Sequence, residues 1–296
     1  MNSARAALWM VAGMLAGNIP HPAIGAEATP VHAMWVWKSP SVLAPSNAAE
    51  RLREFCRPNG INEIYLSVSG SMEAAGQRRL DHLIGVLHAA NIRVDALLSS
   101  TDADEGGAHL EKLLGDVRAV TTFNQQHPGE RFDGIHLDIE PQQRPENKGA
   151  GNLSFLPGLV NAYAQVREQA ARGGLMVGAD IQTKLLKGTL DQRKILLTAL
   201  PQLTLMLYEL SNPADGQNAE AKAAKLRSES QRYLQMAAEG VDRSQLARIV
   251  IGLRTPDYES LLPQMLGALD QVNAANPIYG GWARHAYNDV LTPPND

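Results

Sequence analysis

A single cysteine, Cys56, stands in a chain of 296 residues, so no internal disulfide can form. It falls on an expected helix, where a small buried apolar group is the simpler reading than a nucleophile. Basic residues are not in excess: 27 Lys and Arg face 31 Asp and Glu, for a net charge of −4. That balance argues against nucleic acid as a partner, which calls for a basic face. No Gly-x-Gly-x-x-Gly follows the first expected strand and no Gly-Lys-Ser/Thr phosphate loop occurs, so dinucleotide and nucleotide sites have no support. His-x-His and His-Glu-x-x-His are also missing, and no metal or other cofactor is expected. No apolar run reaches the roughly 20 residues a spanning helix needs. No linker or low-complexity tract divides the chain.

One segment is set apart by composition. Arg5 supplies a positive start, Ala6 to Gly17 forms a short apolar run, and Ala26-Glu27-Ala28 offers small residues for cleavage. Residues 1–28 are therefore expected to be a secretory signal peptide, with an uncleaved anchor as the alternative. The mature protein is expected to be periplasmic or secreted, without stable membrane insertion. The lack of cysteine pairs is consistent with a bacterial periplasm.

From His32 onward, strand-like and helix-like stretches alternate. Strands are expected at 33–37, 63–68, 93–98, 132–141, 176–181, 203–208, 249–253 and 279–283. Helices are expected at 48–56, 78–90, 108–125, 156–171, 191–200, 219–238 and 261–273. The helix at 78–90, for example, carries Leu80, Leu83, Ile84 and Leu87 at helical spacing. Strands alternating with helices imply right-handed βαβ units and a parallel sheet. Eight such units imply a closed (β/α)8 TIM barrel of the α/β class, for which about 250 residues suffice. One domain over 29–296 is the simplest organisation; an open doubly wound sheet is the structural alternative.

The stretch Phe132-Asp133-Gly134-Ile135-His136-Leu137-Asp138-Ile139-Glu140-Pro141 stands out within that layout. Side chains alternate faces along a strand. Ile135, Leu137 and Ile139 thus share one face, and His136, Asp138 and Glu140 share the other. A barrel strand buried on both faces is normally apolar throughout. Three ionisable groups on one such face need partners or a task. The two readings are a structural polar network inside the barrel and a catalytic strand with Glu140 at its rim. Pro141 cannot donate to a ladder and should end the strand.

This stretch resembles glycoside hydrolase family 18, the chitinases and endo-β-N-acetylglucosaminidases, which carry Asp-Gly-x-Asp-x-Asp-x-Glu on strand four of a TIM barrel. The resemblance implies that Glu140 is the general acid and that Asp138 orients the substrate N-acetyl group, which itself attacks the anomeric carbon. A second match is Met206-Leu207-Tyr208-Glu209, where the family has Met-x-Tyr followed by Asp or Asn; it implies that Tyr208 hydrogen-bonds the N-acetyl carbonyl. The chain departs from the pattern at His136, where the family has Asp, and at Ile139, where an aromatic is usual. Glu209 is longer than the family's residue. Ser99-Ser100-Thr101 replaces the family's Ser-x-Gly-Gly. The family's strand-eight Trp floors the sugar site, and Trp282 is the candidate here.

In a TIM barrel the functional rim is the C-terminal end of the strands. That rule adds Trp35, Trp37, Asp180, Gln182, Glu209, Arg254 and Trp282 to His136 as expected substrate contacts, beside Ser67 and Ser69 on strand two. Sugar rings have apolar faces that stack on aromatic rings and hydroxyls that need hydrogen bonds, which suits this mixture. The expected substrate is a polysaccharide or oligosaccharide containing N-acetylhexosamine, the N-acetyl preference being implied by the resemblance. Asp138 and Glu140 share a site, so one proton affinity should rise, and His136 is expected to hydrogen-bond Asp138 and tune the pair. Three rivals stand beside this. One is a glycosidase with Glu209 or Asp180 as a second catalytic carboxylate. Another is a metal-dependent hydrolase built on His136, Asp138 and Glu140. The third is a sugar-binding barrel without catalysis.

Overall fold

The alternation closes on itself. The computed structural model describes residues 29–68, 72, 74–148, 152–208, 219–254 and 261–288. Its eight strands are β1 (Val31–Val36), β2 (Glu63–Ser67), β3 (Arg93–Ser100), β4 (Gly134–Ile139), β5 (Met176–Gln182), β6 (Gln202–Met206), β7 (Arg248–Arg254) and β8 (Tyr279–His285). Each pairs in parallel with the next, and β1 pairs with β8 to complete the barrel. The (β/α)8 expectation therefore holds, and the open sheet is ruled out. The signal segment 1–28, Ser69 and Glu209 lie outside the described residues.

Eight α-helices are described: α1 (Ser39–Val42), α2 (Ala48–Cys56), α3 (Ala74–His88), α4 (Gly107–Gln126), α5 (Leu156–Ala171), α6 (Leu190–Leu197), α7 (Ala219–Ala238) and α8 (Leu262–Asn273). The short α1 was not visible as a periodic pattern, because four residues span barely one turn. α6 stops three residues before its expected end. Its start is set by a capping box, in which Thr189 accepts from the Gln192 backbone and Gln192 returns a bond to the Thr189 N–H. No described helix is long and apolar enough to cross a membrane.

Two apolar clusters of unequal size hold the barrel. The larger lies between strands and helices and includes Met34, Ile64, Leu66, Val94, Ile135, Leu137, Ile139, Val177, Ile181, Leu205 and Ile251. The smaller lies inside the barrel and comprises Val31, Ala33, Trp35, Tyr65, Leu97, Val250, Ala283 and Ala286. The interior is completed by polar groups: Glu63, Asp95, His136, Asp180 and Thr204 are all buried. The alternation read in β4 is thus the layering of the molecule. Its aliphatics face the helices, and its ionisable groups face the axis.

The N-terminal floor of the barrel is internally paired. Arg93 contacts Glu63 and Asp95, each at 3.3 Å. Gln202 donates to Glu63 at 3.4 Å and to the Tyr65 hydroxyl at 3.3 Å. Gly134 is needed here, because a Cβ at that position would lie 2.8 Å from the Asp95 carboxylate. Its neighbour Asp133 ties β4 to its surroundings, accepting from the Val94 N–H at 2.7 Å and meeting His88 at 2.9 Å. The Asp-Gly pair that opens the strand-four motif is therefore structural in this chain.

Candidate active site

β4 delivers His136, Asp138 and Glu140 up the inner wall, from interior to rim. His136 is fully buried. Its Nε2 donates to Asp180 Oδ1 on β5 at 2.8 Å, and its ring stacks on Tyr65 with centroids 3.6 Å apart. The expected His136–Asp138 bond is not what forms. Gly178 is the residue paired with His136 in the β4–β5 register, and Asp180 lies two residues further along the same inner face of β5. Gly178 leaves room for the imidazole, with a Cβ there meeting His136 Nδ1 at 3.4 Å.

Asp180 is a buried anchor, only 2% exposed, rather than a rim contact for sugar. Its second oxygen accepts the Trp35 indole N–H at 3.0 Å. Trp35 is itself buried, edge-on to Tyr65, His136 and Tyr208, and forms the floor of the mouth. Trp37 is half-buried above it and donates its indole N–H to His285 Nε2 at 3.1 Å.

Asp138 lies within electrostatic reach of Asp180. Burial first, then Asp180, then Glu140 push its carboxyl well above the usual carboxylate range. Its Oδ1 is buried with no hydrogen-bond partner among the described residues. Glu140 follows β4 directly, with its N–H bonded to the Ser100 carbonyl at 3.0 Å. Burial raises its carboxyl too; bonds from Gln182 and Gln142 pull back, and Asp180 adds to the rise. Gln182 donates to Oε1 at 3.0 Å and Gln142 to the same oxygen at 3.1 Å, while Gln143 donates to Oε2. Gln182, expected as a sugar contact, is thus engaged with Glu140. Tyr208 closes the group: burial, then Asp180, Asp138 and Glu140, raise its phenol well above normal, and Arg254 opposes them.

The segment carrying Glu140 is clamped from outside. Arg144 forks onto Asp104 at 2.8 and 2.7 Å and also bonds the Thr101 carbonyl at 2.8 Å. Bidentate guanidinium–carboxylate pairs fix orientation as well as distance. The turn Pro141–Gln143 is thereby held against the end of β3.

Trp282 is a correction. Its indole N–H donates to Asp270 Oδ2 on α8 at 3.1 Å, and its ring stacks on His32 with centroids 4.2 Å apart. It belongs to the outer layer and is not with the others at the mouth. The cause is a bulge: Ile249 pairs Tyr279 but Val250 pairs Gly281. Tyr279 and Trp282, three residues apart, consequently both reach Asp270. Unbroken alternation would have separated them. Gly281, at φ +122°, takes the inner position, where a Cβ would fall 2.0 Å from the Val31 carbonyl.

The structure thus brings together Trp35, Trp37, His136, Asp138, Glu140, Asp180, Gln182, Tyr208 and Arg254 at the mouth end of the barrel. Sequence reasoning missed Gln142 and Gln143 as site residues. The signal for the glutamines was present: they follow Glu140-Pro141, where a turn folds side chains back on the preceding residue. Among the described residues no three His, Cys, Asp or Glu side chains are arranged to hold a metal ion.

No family model matches the sequence, and neither does any curated protein. Solved structures do match. The glycoside hydrolase domain of PgaB (BpsB) from Bordetella bronchiseptica aligns at TM-score 0.54 and 10% identity, over 90% of this chain and 96% of that one. A chitinase from Chromobacterium violaceum aligns at 0.51 and 11%, over 87% and 94%. The exo-β-1,4-mannosidase Op5Man5 from an Opitutaceae bacterium aligns at 0.59 and 12%, over 86% and 51%. The likeness is one of fold. The chain also spans 63% of the length of the Ostrinia furnacalis Group II chitinase domains it matches.

Proposed function

We propose that this chain is a glycosidase that cleaves an N-acetylhexosamine-containing polysaccharide. Glu140 protonates the leaving glycosidic oxygen. Asp138 orients the substrate N-acetyl group as it attacks the anomeric carbon, Tyr208 hydrogen-bonds its carbonyl, and the reaction retains configuration. The observation that carries this reading is the pairing at the end of β4. Two carboxyls whose proton affinity is raised by burial and by Asp180, that of Asp138 also by Glu140, stand over an aromatic floor, one with an idle buried oxygen. A carboxylic acid kept protonated near neutrality is what general-acid cleavage needs. The solved structures that share the fold include chitinases and other glycoside hydrolases, which agrees with this chemistry.

The departure at His136 is compatible with the mechanism. Where the family places a third carboxylate, this chain places an imidazole that binds Asp180, and Asp180 acts on Asp138 from the neighbouring strand. Both oxygens of Asp180 are occupied by Trp35 and His136, which disfavours it as a second catalytic carboxylate. We further propose that residues 1–28 are removed as a secretory signal, leaving a catalytic domain over 29–296 in the periplasm or outside the cell. Mass spectrometry of the exported protein would report the new N-terminus.

The test is reducing-end release from chitin oligomers, partially deacetylated poly-N-acetylglucosamine, peptidoglycan and a neutral β-glucan, with Glu140→Gln alongside. Cleavage confined to N-acetylated substrates and lost in the variant is the expected result. Cleavage of the neutral glucan would move the nucleophile to a protein carboxylate. Binding without cleavage of any of the four would leave a sugar-binding barrel.

A further inference from the structure

Glu140 is held in an unusual way for a proton donor. Three side-chain amides converge on one carboxyl group, two from the turn that follows it and one from β5. All three donate. Donors stabilise the ionised form, so this arrangement opposes the burial and the neighbouring charges that favour the protonated form. The three amides differ in placement. Gln142 is buried and Gln143 is exposed at the rim. Gln142 also leaves its own carbonyl oxygen buried and without a partner among the described residues. A buried idle acceptor beside an acid is an expensive arrangement unless something uses it. A half-turn of the Gln142 amide would present that oxygen to a protonated Glu140 as acceptor.

We propose that Gln142, Gln143 and Gln182 form an amide cage that orients Glu140 and sets how tightly it holds its proton, with Gln143 the member that an arriving sugar displaces. They are positioning residues, and the proposal rests on the glycosidase reading above. With the mouth empty, three donors favour the carboxylate. When a sugar takes the place of Gln143, one donor is lost, Gln142 turns to accept, and the protonated fraction of Glu140 rises, the proton coming from solvent and passing on to the glycosidic oxygen. The titratable groups facing Glu140 are Asp138 from β4, Asp180 from β5 and Tyr208 after β6. Arg254 at the end of β7 acts on Tyr208. Arg144, four residues on, is committed to Asp102, Asp104, Glu105 and Glu146.

The test uses Gln143→Leu, an exposed position that folding tolerates, and Gln182→Leu as an independent second variant. Two readouts are taken. The first is the infrared difference titration of the carboxyl stretch between each protein and its Glu140→Gln counterpart, which needs no turnover. Each lost donor should raise the Glu140 midpoint by roughly half a unit or more. The second is the pH profile on chitin oligomers. The basic limb of kcat/KM reports the free enzyme and that of kcat the complex. In the wild type the kcat limb should lie at higher pH than the kcat/KM limb, and in Gln143→Leu the two should coincide. A midpoint that stays put or falls in both variants would overturn the cage, as would limbs already coincident in the wild type. If no polymer is cleaved, the glycosidase reading fails, while the infrared titration still decides whether the amides set the ionisation of Glu140.

Discussion

The two ends of this barrel handle buried acids differently. At the N-terminal floor, Glu63 and Asp95 are matched by Arg93, with Gln202 adding a donor. Asp95 is still pushed up by burial and by Glu63, but Arg93 pulls it back. At the C-terminal mouth, the contacts of Glu140 and Asp180 are with amides, an indole and an imidazole, and both push the Asp138 carboxyl up. A floor only has to stand, so pairing suits it. In a mouth that must release a proton, amides leave an acid freer to stay protonated than a guanidinium bonded to it, which would hold it ionised. The difference separates scaffold from chemistry within one sheet.

The sharpest way to break the comparison is Glu140→Gln. It should lower turnover more than a thousandfold with little change in Tm, because the new amide keeps the shape of the old carboxyl. Retained activity would move the acid elsewhere. Asp138→Asn should cost about a hundredfold in kcat, yet stabilise the fold. The folded-state affinity of Asp138 for its proton is raised, so its stabilising contribution is full at low pH and is lost as pH rises through the folded value. The variant should match the wild type near pH 4 and exceed it at pH 8 by about 1–2 kcal/mol, or roughly 2–6 °C in Tm. Thermal melts at the two pH values check this.

At the floor the expected signs reverse. Arg93→Leu should destabilise by about 1–2 kcal/mol at neutral pH, a value discounted because half the side chain is exposed. The loss should shrink at acid pH, where Asp95, pushed up by burial and by Glu63, takes up its proton, and kcat should not change. A loss of kcat would show that the floor communicates with the mouth. Trp282→Phe is the mildest case. It removes the bond to Asp270 and should cost about 1 kcal/mol in urea unfolding, with KM unchanged. A raised KM would return Trp282 to the sugar site.

Much of the site was readable because β4 is short and regular. The two-residue period alone put His136, Asp138 and Glu140 on the inner face, and the structure keeps them there. Regularity is also why Trp282 was misplaced: one extra residue in β8 reverses the phase of every residue after it, and composition does not announce a bulge. The partner of His136 was misread for a related reason. Period two names the face a side chain takes, but the register between β4 and β5 decides which neighbour it meets.

What this sequence determined by itself was the alternation of elements, the closed parallel barrel, and the strand on which acids cluster, all of which stem from local periodicity. Only the tertiary structure decided that Asp180 is an anchor under the mouth, that Gln182 on β5 joins the two local glutamines on Glu140, and that Glu63 meets Arg93 at the floor. Those are contacts between residues up to 145 positions apart, as with Trp35 and Asp180. They exist because barrel closure brings the inner faces of distant strands to one axis, and no local pattern encodes that distance.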